Sequence, residues 1–390
     1  MIRRRSHRFW MVVALLSGAL MASACSDREP AADDGLDVAE ALSGDTAGFD
    51  RATGPREFRF PADHGPHPDF RTEWWYYTGN VRTDDGRRFG YQFTVFRTAL
   101  RPEATSREEG TWSTNQLYMA HFAVSDVASD RFYFEERFSR EAAGLAGARG
   151  APYRVWLDDW EAEAIDGSFG RQVIRAESDD VELVLELEAV KPIVLHGDAG
   201  FDRKGEGYGN ASYYYALTRW RTAGTIRTGE TTHRVEGTSW LDREWSTSVL
   251  GEGIQGWDWF ALQLEDGRDL MFYQLRGEDD EPVLIKGAVI AEDGLRRGLV
   301  AEDIVFEVLD QWRSPRGGIY PSGWQLDVPS EGLSVRITPV KRDQELDVSI
   351  RYWEGAVDVT GLSGERPVAG SGYAELTGYA RGGPNRFLRQ

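Results

Sequence analysis

Residues 73–95 read Glu-Trp-Trp-Tyr-Tyr-Thr-Gly-Asn-Val-Arg-Thr-Asp-Asp-Gly-Arg-Arg-Phe-Gly-Tyr-Gln-Phe-Thr-Val. From Phe89 to Val95 every second residue is large and apolar, with Gly90, Gln92 and Thr94 between, which is the period of a half-buried strand. Asp85-Gly86 ahead of it marks a hairpin turn, because these residues accept the backbone that a tight antiparallel connection needs. The pattern recurs along the chain. Val181, Leu183, Leu185 and Leu187 alternate with Glu182, Glu186 and Glu188, and Asp266-Gly267 and Asp293-Gly294 supply further turns. Convincing helical stripes are scarce, the best being the Ala-rich stretch from Glu141 to Arg149. Many strands on short turns predict an all-β chain of barrels or sandwiches.

Trp74 and Trp75, an Asp-Gly turn, an aromatic strand and a closing Arg97 are echoed by Trp257 and Trp259, Asp266-Gly267, Phe272-Tyr273 and Arg276. A tandem of two similar β domains accounts for this echo, with the boundary near Ser248.

The ends bound the compartment. Arg3, Arg4 and Arg5 precede an apolar run from Trp10 to Leu20, then Ala22-Ser23-Ala24-Cys25, the pattern of a bacterial lipoprotein signal. Cys25 is the only cysteine, so it is the expected lipidation site, and disulfides, Cys-rich zinc sites and thiol catalysis are set aside. Ser26 favours delivery to the outer membrane, while Asp27 leaves inner-membrane retention open. The expected organisation is a signal peptide over 1–24, an acylated cysteine and acidic tether over 25–55, and β domains over 56–248 and 249–390. A short helix is expected around Val38 to Leu42. A formal net charge of -19 argues against nucleic acid and against charge-driven adhesion to anionic lipid.

Acidic groups are twice embedded among aromatic rings. Strand alternation puts Glu73 on one face with Trp75 and Tyr77, and Asp242 and Glu244 on one face with Trp240. A carboxyl held against such rings loses hydration, and its pKa is expected to rise toward that of a useful proton donor. The competing reading is a carboxylate that accepts hydrogen bonds from Trp or Arg and pins a strand. Asp258 shares a face with Phe260, Leu262 and Leu264, and is either a desolvated functional acid or a polar group at a barrel end. His121, between Met119 and Ala123, is the histidine best placed for acid–base work, beside the alternative of a satisfied core histidine. His64 and His67, with Asp63, Asp69 and Glu73, are the only cluster with metal-like spacing. Pro61, Pro66 and Pro68 make that segment a rigid loop closing a barrel, and no metal is expected. A nucleophile elbow and a phosphate-binding loop are both missing.

The segments Phe60 to Pro68, Glu73 to Tyr77, Trp240 to Trp245, Gly256 to Trp259 and Tyr352 to Gly355 together resemble the tandem lipocalin-like family of carotenoid 1,2-hydratase and the AttH-like proteins, over about Pro55 to Tyr379. The resemblance implies two consecutive lipocalin-like (calycin) antiparallel β-barrels, a hydrophobic ligand, no cofactor and, in the hydratase branch, water addition to an isoprenoid end-group double bond. In that branch the segment matching Asp242 to Trp245 carries a histidine where this chain has Arg243. An arginine stays protonated and cannot donate a proton to an alkene, so the chain looks closer to the AttH-like branch.

Three functional readings follow. The first is a periplasm-facing, membrane-tethered lipoprotein binding an extended isoprenoid or acyl lipid through Trp75, Tyr77, Trp240, Trp245, Trp257 and Trp259. The second is a cofactor-free hydratase or lyase of the carotenoid hydratase type, using Glu73, His121, Asp242 or Asp258. The third is an accessory to a membrane transporter.

Overall fold

The computed structural model describes residues 46–102, 114–248, 250, 251 and 253–380. The segment read as a signal peptide, Cys25 and the helix expected around Val38 to Leu42 lie outside them. The stretch read as a tether is packed from residue 46 onward: Ala52 is buried in the first core and the Asp50 amide donates to the Asp69 carbonyl.

In chain order the strands of the first sheet are β1 (Thr72–Arg82), β2 (Arg88–Ala99), β3 (Gln116–Asp126), β4 (Arg131–Arg140), β5 (Ala146–Gly150), β6 (Tyr153–Leu157), β7 (Trp160–Ala164), β8 (Arg171–Glu177), β9 (Val181–Ala189), β10 (Val194–Leu195), β11 (Phe201–Arg203), β12 (Ala211–Thr228) and β13 (Thr231–Ser246). The rest of the chain forms β14 (Gly256–Leu264), β15 (Asp269–Arg276), β16 (Pro282–Ile290), β17 (Arg296–Val300), β18 (Val305–Val308), β19 (Gln311–Arg313), β20 (Ile319–Pro321), β21 (Trp324–Val328), β22 (Leu333–Pro339), β23 (Glu345–Leu346), β24 (Tyr352–Ser363) and β25 (Arg366–Leu376). Strands β19 and β20 form a ribbon of their own.

The first sheet runs β4-β3-β2-β1-β13-β12-β9-β8-β7-β6-β5 and the second β17-β16-β15-β14-β25-β24-β22-β21-β18, with every pairing antiparallel. In each, the two end strands are consecutive in the chain: a short turn joins β4 to β5, and a single 3-10 turn at Ala301–Asp303 joins β17 to β18. So short a link forces the two edges together, and the sheet curls into a barrel. The all-β, tandem lipocalin-like architecture is thus present.

The Asp-Gly signals behave as expected: Gly86, Gly267 and Gly294 all take positive φ at their turns. The stretch Glu141–Arg149, the best helical stripe in the sequence, forms no helix. Ala143 and Gly144 have φ of 52° and 77°, which breaks any helix there, and the remainder pairs as β5.

Each barrel holds its own apolar core, the first around Trp75, Tyr77, Phe93, Phe122, Leu185 and Trp245, the second around Phe260, Phe272, Trp324 and Trp353. A third cluster draws from both sheets, with Tyr76, Tyr214 and Trp240 from the first and Trp259, Met271, Tyr273 and Leu275 from the second. The barrels approach closely: a Cβ at Gly90 on β2 would stand 2.5 Å from that of Ala356 on β24. Arg219 and Lys191 both grip Asp269, at 2.6 and 2.7 Å, which locks the two sheets through buried charge.

Candidate functional site between the barrels

The site follows from the alternation of β1 and β13. In their register Glu73 faces Trp245, Trp74 faces Glu244, Trp75 faces Arg243 and Tyr76 faces Asp242. The odd-numbered residues of β1 enter the first core, whereas Trp74 and Tyr76 point outward with Asp242 and Glu244. Against that outward face the second sheet lays Trp257, Trp259, Tyr273, Leu275, Tyr352 and Glu375. A cavity of about 360 Å³ remains between them, and β2 and β3 extend its apolar wall with Phe96, Leu117 and Met119.

Asp242 is 3% exposed, and its partners are neutral. Trp240 Nε1 donates to Oδ1 at 2.7 Å, and the Tyr214 hydroxyl donates to Oδ2 at 2.7 Å. Trp259 Nε1 donates in turn to the Tyr214 hydroxyl at 3.3 Å. Burial pushes the Asp242 carboxyl up to about 8, overcoming the two hydrogen bonds and the distant pull of Lys204. Burial thus favours the protonated form of this acid among indoles. Glu244 is also raised by burial, although it ion-pairs with Lys204 at 3.0 Å. Lys204 is shared with Asp202 at 2.9 Å and lies 4.3 Å from the Tyr273 ring centre. These carboxylates hold its ammonium well above the usual lysine range against burial, so it is a fixed charge and no nucleophile.

His121 also reaches the cavity. Its Nδ1 stands 2.7 Å from the Tyr352 hydroxyl and its Nε2 2.9 Å from Glu136, whose carboxylate further accepts from Ser349. The last polar wall is Glu375, which accepts from Trp257 Nε1 at 2.5 Å and lies beside Glu354.

Of the sequence candidates, then, Asp242, His121, Trp257 and Trp259 come together at the cavity, with Trp240 supporting Asp242. Glu73 does not. It lies on the inner side of β1, where Arg97 ion-pairs with it and Arg243 and His67 each stand 3.1 Å away. Burial alone would raise its pKa, but Arg97, His67 and Arg243 overcome this and drive it well below the usual carboxylate range. The expected rise is thus reversed by two guanidinium groups that alternation alone did not reveal. Asp258 is likewise remote from the cavity, at the end of the second barrel, bonded by Gln274 at 2.6 Å, Tyr379 at 3.1 Å and Arg276 at 3.2 Å. Burial raises it against the pull of Arg276. Trp75, Tyr77 and Trp245 fill the first core and do not line this cavity.

Arg243 also points into the first barrel, its guanidinium 3.9 Å over the Trp75 ring and donating to the Trp74 and Gly65 carbonyls. His64 stacks on Phe169 at 3.3 Å and His67 on Trp245 at 3.7 Å, closing the barrel mouth. Among the described residues no group of His, Cys, Asp and Glu is placed to hold a metal ion.

The sequence alone marks none of Tyr214, Lys204, Tyr352, Glu354 and Glu375 as catalytic or ligand-contacting, although the segment from Lys204 to Tyr215 reads as a ligand-gating loop beside an aromatic strand. Only Glu354, inside the Tyr-Trp-Glu-Gly segment, repeated the signal of an acid among aromatics.

Two antiparallel barrels in tandem, packed about a shared cavity, define a tandem lipocalin-like protein. The chain belongs to the AttH-like family, which it matches over residues 51–379. It is similar to a protein of Nitrosomonas europaea assigned as AttH, with 36% sequence identity and a TM-score of 0.75, over 85% of this chain and 100% of that one. It is also similar in fold to kievitone hydratase of Nectria haematococca, with 14% identity and a TM-score of 0.63, over 86% of this chain and 97% of that one. Among curated proteins no sequence matches.

Proposed function

We propose that the protein is a cofactor-free hydro-lyase that adds water to a carbon–carbon double bond of an apolar, isoprenoid-like substrate seated between the barrels. The observation that carries this reading is Asp242, a buried carboxyl with neutral partners at the wall of an aromatic-lined cavity, raised by that burial. Hydrating a substituted alkene needs an acid strong enough to protonate it, rings that face the developing cation, and a water. Asp242 supplies the proton, its O–H electrons returning to the carboxylate as the new C–H bond forms. Trp74, Trp257 and Trp259 line the space where positive charge develops, and an indole ring turned toward it attracts a cation. Water then forms the C–O bond and passes its surplus proton to a base. The reading rests on this site and not on the fold shared with kievitone hydratase, since one fold hosts many chemistries.

We further propose that the mature chain is acylated at Cys25 and faces the periplasm, the outer membrane being favoured by Ser26. Such a tether would keep the protein at a membrane, a source of apolar molecules.

Incubation with a panel of unsaturated isoprenoids in oxygen-18 water tests the activity. Label in a product alcohol, lost in Asp242→Asn, is the expected result. Saturable binding with no label in any product would favour a carrier of apolar molecules instead.

A further inference from the structure

Glu354 and Glu375 face each other directly in the register of β24 and β25, so their side chains leave the same side of the sheet as neighbours. Among the described residues neither has an ion-pair partner. The groups packed against them from other elements are the Tyr76 hydroxyl from β1, the Trp257 indole from β14 and the Glu244 carboxyl from β13, with Tyr352 and Tyr373 on their own strands. None of these is a cation, and Lys204 is engaged by Asp202 and Glu244. Tyr76 donates to Glu354 Oε1 at 2.5 Å and Trp257 Nε1 to Glu375 Oε1 at 2.5 Å. Glu354 is 0% exposed, and no donor reaches its other oxygen, Oε2. The two carboxyl groups thus stand as cross-strand neighbours, and Glu375 adds to burial in holding Glu354 up. Ionising both of two buried carboxyls on directly facing residues, with no cation against either, is strongly disfavoured.

We propose that Glu354 and Glu375 hold one proton between them and serve as the base of the site, Glu375 taking the proton of the attacking water and Glu354 acting through it as a positioning residue. This rests on the hydro-lyase reading above. Glu375 meets the cavity, whereas Glu354 is sealed behind it. Burial pushes Glu375 up to about 7, and burial with the adjacent Glu375 pushes Glu354 up, so the pair holds one negative charge near neutrality.

The protons balance. As a water lone pair forms the C–O bond, an O–H bond of that water breaks, its electrons stay on oxygen, and the proton goes to Glu375. The dyad is then doubly protonated and Asp242 is a carboxylate. Passing one proton from the dyad back to Asp242 through solvent restores both groups. Dehydration runs the same steps in reverse.

The test uses the full protein labelled with carbon-13 at glutamate Cδ, titrated by NMR without substrate, in wild type, Glu354→Gln and Glu375→Gln. Loss of a resonance in each variant identifies the two carboxyls. In wild type the two resonances should move together through a shared step near neutrality. In either variant the remaining glutamate should titrate at least tenfold more readily, because its charged neighbour is gone. Independent titrations, or two ionised carboxyls at pH 6, would overturn the dyad.

With substrate, Glu354→Gln should move the acid limb of the kcat–pH profile while changing KM by less than about twofold, which a purely structural role would not do. An unmoved limb overturns the base assignment. Coupled titration without any hydration by wild type would instead overturn the hydro-lyase reading, and the base role with it.

Discussion

Asp242 on β13 and Glu375 on β25 belong to different barrels, yet both face the cavity between them. The acid and the proposed base therefore come from different barrels. The docking of the two outward faces completes the site, and it is held by buried polar links such as Tyr76 to Glu354 and Tyr273 to Asp202.

Asp242→Asn preserves shape and removes the proton. Hydration should fall by at least about 100-fold, while the affinity for a saturated analogue changes by less than about threefold. Product analysis and a binding titration together check this.

The same group makes stability depend on pH in a defined direction. Folding lifts the Asp242 carboxyl from 3.8 to about 8 and Glu375 from 4.5 to about 7, so the folded state binds more protons than the unfolded state between these values. Their contribution is therefore greatest at low pH and is lost as pH rises toward 8. Asp242→Asn should flatten this decline in denaturant titrations between pH 5 and 9. Activity should fall above about pH 8 as Asp242 ionises.

Arg243→His places a titratable ring where the hydratase branch carries one, but in this chain that position points into the first barrel. It removes the guanidinium stacked over Trp75 and leaves Glu73 with one fewer cation. Breaking a buried pair in this way costs about 3–5 kcal/mol, visible as a lower Tm. No hydration should appear beyond that of wild type. A gain of hydration would place the chemistry inside the first barrel instead.

Tryptophan fluorescence distinguishes the cavity from the cores. An apolar ligand should quench Trp74, Trp257 and Trp259, which line the cavity. Trp257→Phe and Trp259→Phe should each reduce the quench, whereas Trp75→Phe should leave it unchanged.

Detergent partitioning checks the tether. Cys25→Ala should yield a soluble or uncleaved form, and a processed variant that still partitions with membranes would overturn lipidation at this residue.

The face on which each acid stands was legible in the residues. Period-two alternation set Glu73 with Trp75 and Tyr77, and Asp242 with Trp240 and Glu244, as the register of β1 and β13 bears out. Alternation cannot say which face meets which environment. Glu73 and Asp242 look alike in sequence, each an acid beside aromatic rings, and they diverge because Glu73 meets Arg97 and Arg243 whereas Asp242 meets Tyr214 and Trp240. Arg97 stands 24 residues from Glu73 and Arg243 stands 170 away, so only folding brings those charges into range.

The chain by itself thus determined the strands, their turns and the tandem architecture, because side-chain period and turn chemistry are local properties. The tertiary structure alone decided that the cavity lies between the barrels, and that burial raises Asp242 while two guanidinium groups hold Glu73 down. A pKa and a cavity depend on what packs against a group, and here the deciding neighbours come from strands remote in the chain.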